Sequence, residues 1–332
     1  MQAQLTTAPP DVEQAVEQAA DDAVTIEGLV KHYRDPQGGT FAAVDGLDLT
    51  VHRGEILGIL GPNGAGKTTT LEIIEGLTPA DAGRVRILGL DPFTEPNEVQ
   101  KRIGIQLQSS TYFEFLRLGE LLDLFGRLYP TRLDPDDLLE RVGLEGKKRA
   151  LVGELSGGQA QRFAVVAALV NDPEVVFLDE PTTGLDPQAR RNLWDVIAGL
   201  ADDGRTVILT THYMEEAETL ADRVAVIDHG KIAAVDTPSR LMDRFGSGTT
   251  IRFTTDLPID PAGIVDLPGV LTATGPAPGE TTHVLDVDAP DRAVPALFGW
   301  AGERGIAIND LSIHRPTLED VFLNITGRSL RD

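Results

Sequence analysis

The stretch Gly61-Pro62-Asn63-Gly64-Ala65-Gly66-Lys67-Thr68-Thr69 constrains what this chain can fold into more than any other. It follows an apolar run, Ile56-Leu57-Gly58-Ile59-Leu60, and precedes a periodic one, Leu71, Ile73, Ile74 and Leu77. The order is therefore strand, glycine loop, helix. Gly61, Gly66, Lys67 and Thr68 meet the pattern G-x-x-x-x-G-K-[ST]. Glycine lets the loop turn its N–H groups inward around phosphate oxygens, with no Cβ in the way. The helix beginning near Lys67 adds its positive N-terminal end. Lys67 supplies a fixed charge for the β- and γ-phosphates, and the Thr68 hydroxyl is a ligand for Mg²⁺. The flanking strand and helix separate this reading from that of a glycine-rich turn with a surface lysine.

A chain of 332 residues suggests about two domains, and 41% hydrophobic residues can fill their cores. No cysteine is present, which excludes disulfides and thiolate metal sites. With 52 acidic against 29 basic residues the formal charge is −23. That balance argues against a nucleic-acid partner and against broad adhesion to anionic lipid. No apolar run approaches the roughly eighteen residues that span a bilayer, and no basic or apolar leader opens the chain. A cytoplasmic location is expected, with attachment to a membrane only through another chain.

Residues Met1 to Ala23 carry Asp11, Glu13, Glu17, Asp21 and Asp22 without a basic counterpart, and are expected to be a disordered acidic tail. From Val24 the pattern is β, with strands expected at Val24 to Val30, Phe41 to Val44 and Leu47 to Val51. Tyr33 is placed to stack on a base, or to be a half-buried strand tyrosine. Strands follow at Gly83 to Leu88 and Ile103 to Leu107, and Gln108 sits where the second leaves the sheet. A neutral amide there orients water or touches Mg²⁺ without adding charge. Leu118, Leu121, Leu122, Phe125 and Leu128 then follow helical spacing, as do Leu138, Leu139 and Val142. This is a helical insertion, about 109–165.

Leu155-Ser156-Gly157-Gly158-Gln159 opens the next helix. Serine and glycines at a helix N-terminus make a second anion site, one without a lysine, which would act through dipole and N–H groups alone. Val175 to Leu178 is an apolar strand ending in Asp179-Glu180. Ligands of open parallel sheets bind at the carboxyl ends of strands. Asp179 is therefore placed to hold Mg²⁺ and Glu180 to polarise an attacking water. The strand Val207 to Thr211 ends at His212, placed to donate to a γ-phosphate.

These landmarks, in this order, resemble the ATP-binding subunit of an ABC transporter. Gly61 to Thr69 matches the Walker A motif, Leu155 to Gln159 the LSGGQ signature, and Val175 to Asp179 with Glu180 the Walker B motif and catalytic glutamate. Gly184-Leu185-Asp186 matches the D-loop, His212 the switch histidine, Gln108 the Q-loop and Tyr33 the adenine-stacking aromatic. The assignment of Gln108, with Gln106 two residues earlier, rests on I-G-x-x-x-Q from Ile103-Gly104. Arg315-Pro316-Thr317-Leu318-Glu319-Asp320-Val321-Phe322-Leu323 resembles the ending of ABC-2-type exporter ATPases, the daunorubicin-resistance group in particular.

The resemblance implies an α/β fold: a P-loop NTPase with a RecA-like core, an antiparallel β subdomain and a helical subdomain over 24–236. A small α+β accessory domain, 237–332, is read from alternating strands and helices. Its role is dimer support, regulation, or packing alone. The resemblance also implies ATP and Mg²⁺, with Thr68, Gln108 and Asp179 at the metal. It implies an ATP-dependent homodimer that pairs Walker A of one copy with Ser156, Gly157, Gly158 and Gln159 of the other. Integral membrane permease subunits complete it, touching roughly Tyr112 to Glu120. An importer ATPase, or a soluble ABC ATPase without transport, is the alternative.

Overall fold

The computed structural model describes residues 22–35, 38–108, 112–246, 248–256, 259–276 and 282–327. The expected tail lies outside them, apart from its last two residues. The chain divides into two units, the first running to Pro238 and the second beginning at Ser239.

The first unit opens with two long strands, β1 (Asp22–Arg34) and β2 (Thr40–His52). β1 starts inside the stretch expected to be tail, because Asp22 pairs with His52 across the ladder. β2 is one strand where the sequence suggests two. Gly46 adopts φ 70°, and the register shifts there between the Leu29–Leu47 and Val30–Asp45 pairs. A bulge of this kind bends a strand without ending it. β3 (Ile56–Leu60) leads through the glycine loop into α1 (Lys67–Ile74). β4 (Ala82–Ile87), α2 (Pro96–Gln100) and β5 (Ile103–Gln106) follow. The helical insertion holds α3 (Leu118–Gly126) and α4 (Pro135–Arg141), and the signature opens α5 (Gly157–Ala167). Then come β6 (Val175–Asp179), α6 (Pro187–Asp202), β7 (Thr206–Thr211) and α7 (Met214–Leu220), and the hairpin β8 (Arg223–Asp228) and β9 (Lys231–Asp236).

Two sheets result. The smaller is antiparallel, in the order β2-β1-β4. The larger runs β5-β6-β7-β3-β8-β9, parallel except at β9. Its central strands β6, β7 and β3 are buried along their whole length because both faces are covered. Alternate residues of β6 divide between two cores. Val175 and Phe177 pack with α1 and the small sheet, whereas Val176 and Leu178 pack with α3, α4, α5 and α6. Period-two geometry requires this division. The parallel order also brings the carboxyl ends of β3, β5, β6 and β7 to one edge.

The second unit begins within α8 (Pro238–Phe245), at its second residue, and continues with β10 (Thr249–Thr255). β11 (Val270–Thr274), β12 (Thr282–Val287), α9 (Pro290–Arg304), β13 (Ile308–His314) and α10 (Leu318–Thr326) complete it. The sheet is antiparallel, ordered β11-β12-β10-β13. Ile251, Phe253, Leu285 and Val287 of the sheet enclose a core with Ala293 and Leu297 of α9. β11 is the least marked of these strands in the sequence. It is an edge strand with its residues half-buried or exposed, so it carries little hydrophobic signal. Among the described residues, no helix is long and apolar enough to cross a membrane.

Candidate functional site

The glycine loop is built by close approach. A Cβ on Gly61 would lie 2.5 Å from the Ile227 carbonyl oxygen. Gly66 has φ 103°, and a Cβ there would strike the Ala43 carbonyl oxygen. Both positions need glycine, the second for its backbone angle as well. Ala65 N–H donates to the Pro62 carbonyl at 3.1 Å and the Ala65 carbonyl accepts from Gly230 N–H at 2.9 Å, which pins the loop to the β8–β9 turn. Lys67 folds back on its own loop, its ammonium donating to the carbonyls of Gly61 at 2.7 Å and Pro62 at 3.2 Å. Burial pushes its pKa down, against the opposing pull of Glu180 and Asp179. A buried lysine held by carbonyls and facing two carboxylates is poised to exchange those partners for phosphate oxygens.

Asp179 and Glu180 end β6. Asp179 is buried and accepts from Thr210 Oγ1 at 2.5 Å; burial raises its pKa. A buried carboxylate with a hydroxyl donor suits a hydrated divalent ion. Glu180 takes φ 47°, unusual for a residue with a side chain. Its N–H donates to Thr210 Oγ1 at 3.0 Å, which holds the turn. The turn sends its carboxylate out of the sheet. Oε2 accepts from Gln108 Nε2 at 3.2 Å and Thr183 Oγ1 at 3.1 Å, and lies 3.3 Å from His212 Nδ1.

The two glutamines point in different directions. Gln108 reaches Glu180 and lines the cleft. Gln106 points into the core, donating from Nε2 to the Leu107 carbonyl at 2.7 Å.

A cleft of about 380 Å³ lies over the loop, lined by Asn63, Gly64, Gly66, Lys67, Thr68, Thr69, Gln108, Glu180, Tyr33, Phe41 and Ala43. This is within the size of ligand pockets generally. Tyr33 is at its rim, with the ring of Phe41 6.1 Å away on the paired strand. Phe41 is 49% exposed, and the sequence marks it only as a strand residue. Its signal is its register opposite Tyr33, which appears once the hairpin is paired. Thr210 escapes sequence reasoning for the same reason: its partners, Asp179 and Glu180, come from another strand and its end.

Ser156, Gly157, Gly158 and Gln159 do not line this cleft. They form the start of α5, where Ser156 N–H donates to Gln159 Oε1 at 3.2 Å. That oxygen also accepts from Lys147 Nζ at 2.9 Å. Lys147, at the end of a short helical turn, therefore stands one hydrogen bond from a helix start whose own residues carry no lysine.

The matches to known proteins agree with this geometry. The family model described as ABC transporter matches residues 44–183. A daunorubicin resistance ATP-binding protein, DrrA3, of Streptomyces coeruleorubidus is 40% identical over 94% of this chain and 98% of its own length. A Nod factor export ATP-binding protein I of Ralstonia nicotianae is 39% identical over 93% of this chain and 95% of its own. Among solved structures, an ATP-binding subunit of an ABC transporter superposes with a TM-score of 0.60 at 26% identity, covering 67% of this chain and 93% of that one. A dimeric ATP-binding cassette described as post-hydrolysis and bound to ADP and Pi gives 0.58 at 26% identity, over 64% and 98%. The chain belongs to the ABC transporter family, as an ATP-binding subunit that hydrolyses ATP.

Proposed function

We propose that this subunit powers export through separate integral membrane permease subunits, working as a homodimer that ATP closes and hydrolysis opens. The single observation that carries the catalytic part is the Glu180 carboxylate. It stands at the cleft over Lys67, with one oxygen steered by Gln108, Thr183 and His212. Such a carboxylate accepts a proton from water as the water attacks the γ-phosphate. Lys67 exchanges its loop carbonyls for β- and γ-phosphate oxygens. His212 donates toward the γ-phosphate. Tyr33, with Phe41 across the hairpin, offers its ring to the adenine. Thr68, Asp179 and Gln108 would hold Mg²⁺, which when bound supplies Lewis-acid stabilisation of phosphate oxygens.

Because Ser156 to Gln159 stand outside the cleft of their own copy, they are free to close the cleft of another. The direction of transport follows from the relatives, which are named for drug resistance and for export. Cargo of the drug, antibiotic or lipid-like kind fits those names. No nucleic-acid role is proposed for a chain of charge −23. The subunit would sit on the cytoplasmic side, held by its permease. A second cleft of about 450 Å³, lined by Ile103, Leu107, Tyr112, Phe125, Leu128 and Tyr129, suits a permease segment, with Phe113 and Phe115 exposed nearby in sequence.

The test is Glu180→Gln. ATP binding is retained, turnover falls by at least about a hundredfold, and the chain runs as a dimer in ATP by light scattering. Near-normal turnover would remove Glu180 from the role of general base.

A further inference from the structure

The side chains around His212 extend the site into the protein. On α6, Arg190 and Trp194 are one turn apart and share a face. Where the chain enters α7, Tyr213 and Glu216 face them. The Arg190 guanidinium carbon stands 4.5 Å from the centre of the Tyr213 ring. Beside it, Trp194 Nε1 donates to Glu216 Oε1 at 2.9 Å. Glu216 is completely buried and Trp194 nearly so, which makes this second contact a fixed anchor between the two helices. The Tyr213 ring lies 4.2 Å from the imidazole of His212. Tyr213 N–H donates to Thr211 Oγ1 at 2.9 Å, bracing the backbone on either side of His212. His212 Nδ1 then stands 3.3 Å from Glu180 Oε2. Neither Arg190 nor Tyr213 lines the nucleotide cleft.

We infer that Arg190 and Tyr213 are positioning residues for His212: Arg190 clamps the Tyr213 ring, and that ring holds the imidazole toward Glu180. A histidine at a strand end has two free side-chain torsions. An aromatic wall on one side removes much of that freedom, and a cation held over that ring keeps the wall in place. The base of the clamp is α6, whose first turn follows Gly184-Leu185-Asp186, with Asp186 capping it through Ala189 N–H at 2.9 Å. The angle of the imidazole is therefore set by the helix that the D-loop starts. This inference rests on the role proposed above for His212 in ATP turnover.

Steady-state ATP hydrolysis by the full-length chain tests it. Arg190→Met and, independently, Tyr213→Leu are expected to lower kcat about tenfold while KM for ATP stays within about twofold. Arg190→Lys keeps a cation over the ring and is expected to recover kcat to within about threefold of wild type. In a His212→Ala background, followed by single turnover with enzyme in excess, Arg190→Met should cost nothing further. If His212→Ala is impaired but Arg190→Met and Tyr213→Leu leave kcat intact, the positioning role is wrong and the site stands. The same holds if Arg190→Met costs as much without His212 as with it. If His212→Ala turns over ATP at the wild-type rate, the role of His212 itself is wrong, and the clamp falls with it.

Discussion

Glu75, at the end of α1, is buried, and no feature of its sequence neighbourhood marks it. Burial first, then the charges of Asp179 and Glu72, push its pKa from 4.5 up to about 8. A carboxyl whose folded pKa is raised binds a proton that the unfolded chain has already released. Its contribution to stability is therefore greatest below pH 4.5, falls as pH rises through the window from 4.5 to about 8, and is flat above it. Glu75→Gln removes the titration. The variant should gain on wild type by up to about 1.4 kcal/mol per pH unit within the window. Urea unfolding of both chains at pH 5, 6.5 and 8 measures this, and a constant difference across the three would exclude Glu75 as the titrating group. The proposed catalytic residues are legible in the sequence because each lies at a strand end or beside a motif. Spacing alone selects Gln108 over Gln106; in the fold Gln108 reaches Glu180 and Gln106 turns into the core. Glu75, Phe41 and Thr210 are not legible. Their environments are made by strands and helices distant in the chain, and only folding brings those together.

At the scale of elements, local rules decide most boundaries. Asp134 and Asp186 cap α4 and α6 from the N-cap position, each followed by proline in the first turn. The sequence divides β2 in two because Gly46 looks like a turn, whereas the ladder to β1 carries pairing past the bulge. Glycine also marks where two elements nearly touch. Gly104 on β5 is such a place: a Cβ would run into the carbonyl oxygen of Ala168 at the end of α5, with Ala168 C and Pro173 Cγ each at 3.1 Å. The same glycine serves in the sequence to align Gln108, yet its physical reason is packing. Gly104→Ala should cost about 1–3 kcal/mol, because neither the strand nor the helix end can withdraw freely. Gly199, inside α6, has open space where a Cβ would stand, with nothing within 4 Å, so Gly199→Ala should stabilise by about 0.5–1 kcal/mol. Thermal unfolding of the two variants should therefore shift in opposite directions. A neutral Gly104→Ala would mean that α5 is not seated on β5 as described.

At the scale of the molecule, the glycine loop and the helix start proposed as its counterpart are parts that a single copy does not join. Lys67 and its loop line the nucleotide cleft, and Ser156 to Gln159 do not. A composite site made by two copies has a consequence in mixtures. Lys67→Ala spoils the loop of its own copy, and Ser156→Arg blocks the signature that the same copy lends to its partner. Each homodimer of either variant then has two defective sites. The mixed dimer concentrates both defects in one site and leaves the other intact, with Lys67 from one copy and Ser156 from its partner. An equimolar mixture with random exchange is half mixed dimers, so recovery should approach about one quarter of wild-type turnover when sites act independently. If each copy completed its own site, the mixture would stay as inactive as its components. ATPase activity against mixing ratio separates the two cases: it peaks at equal amounts if the site is shared, and stays flat if it is not. Co-purification of the untagged variant with an affinity-tagged copy of the other, in the presence of ATP, establishes that mixed dimers have formed before the comparison is made. The outcome depends on the positions of two short stretches of backbone, one at the start of α1 and one at the start of α5. Both are visible in the sequence as glycines before a helix, and their separation across the fold is what the proposed second copy would bridge.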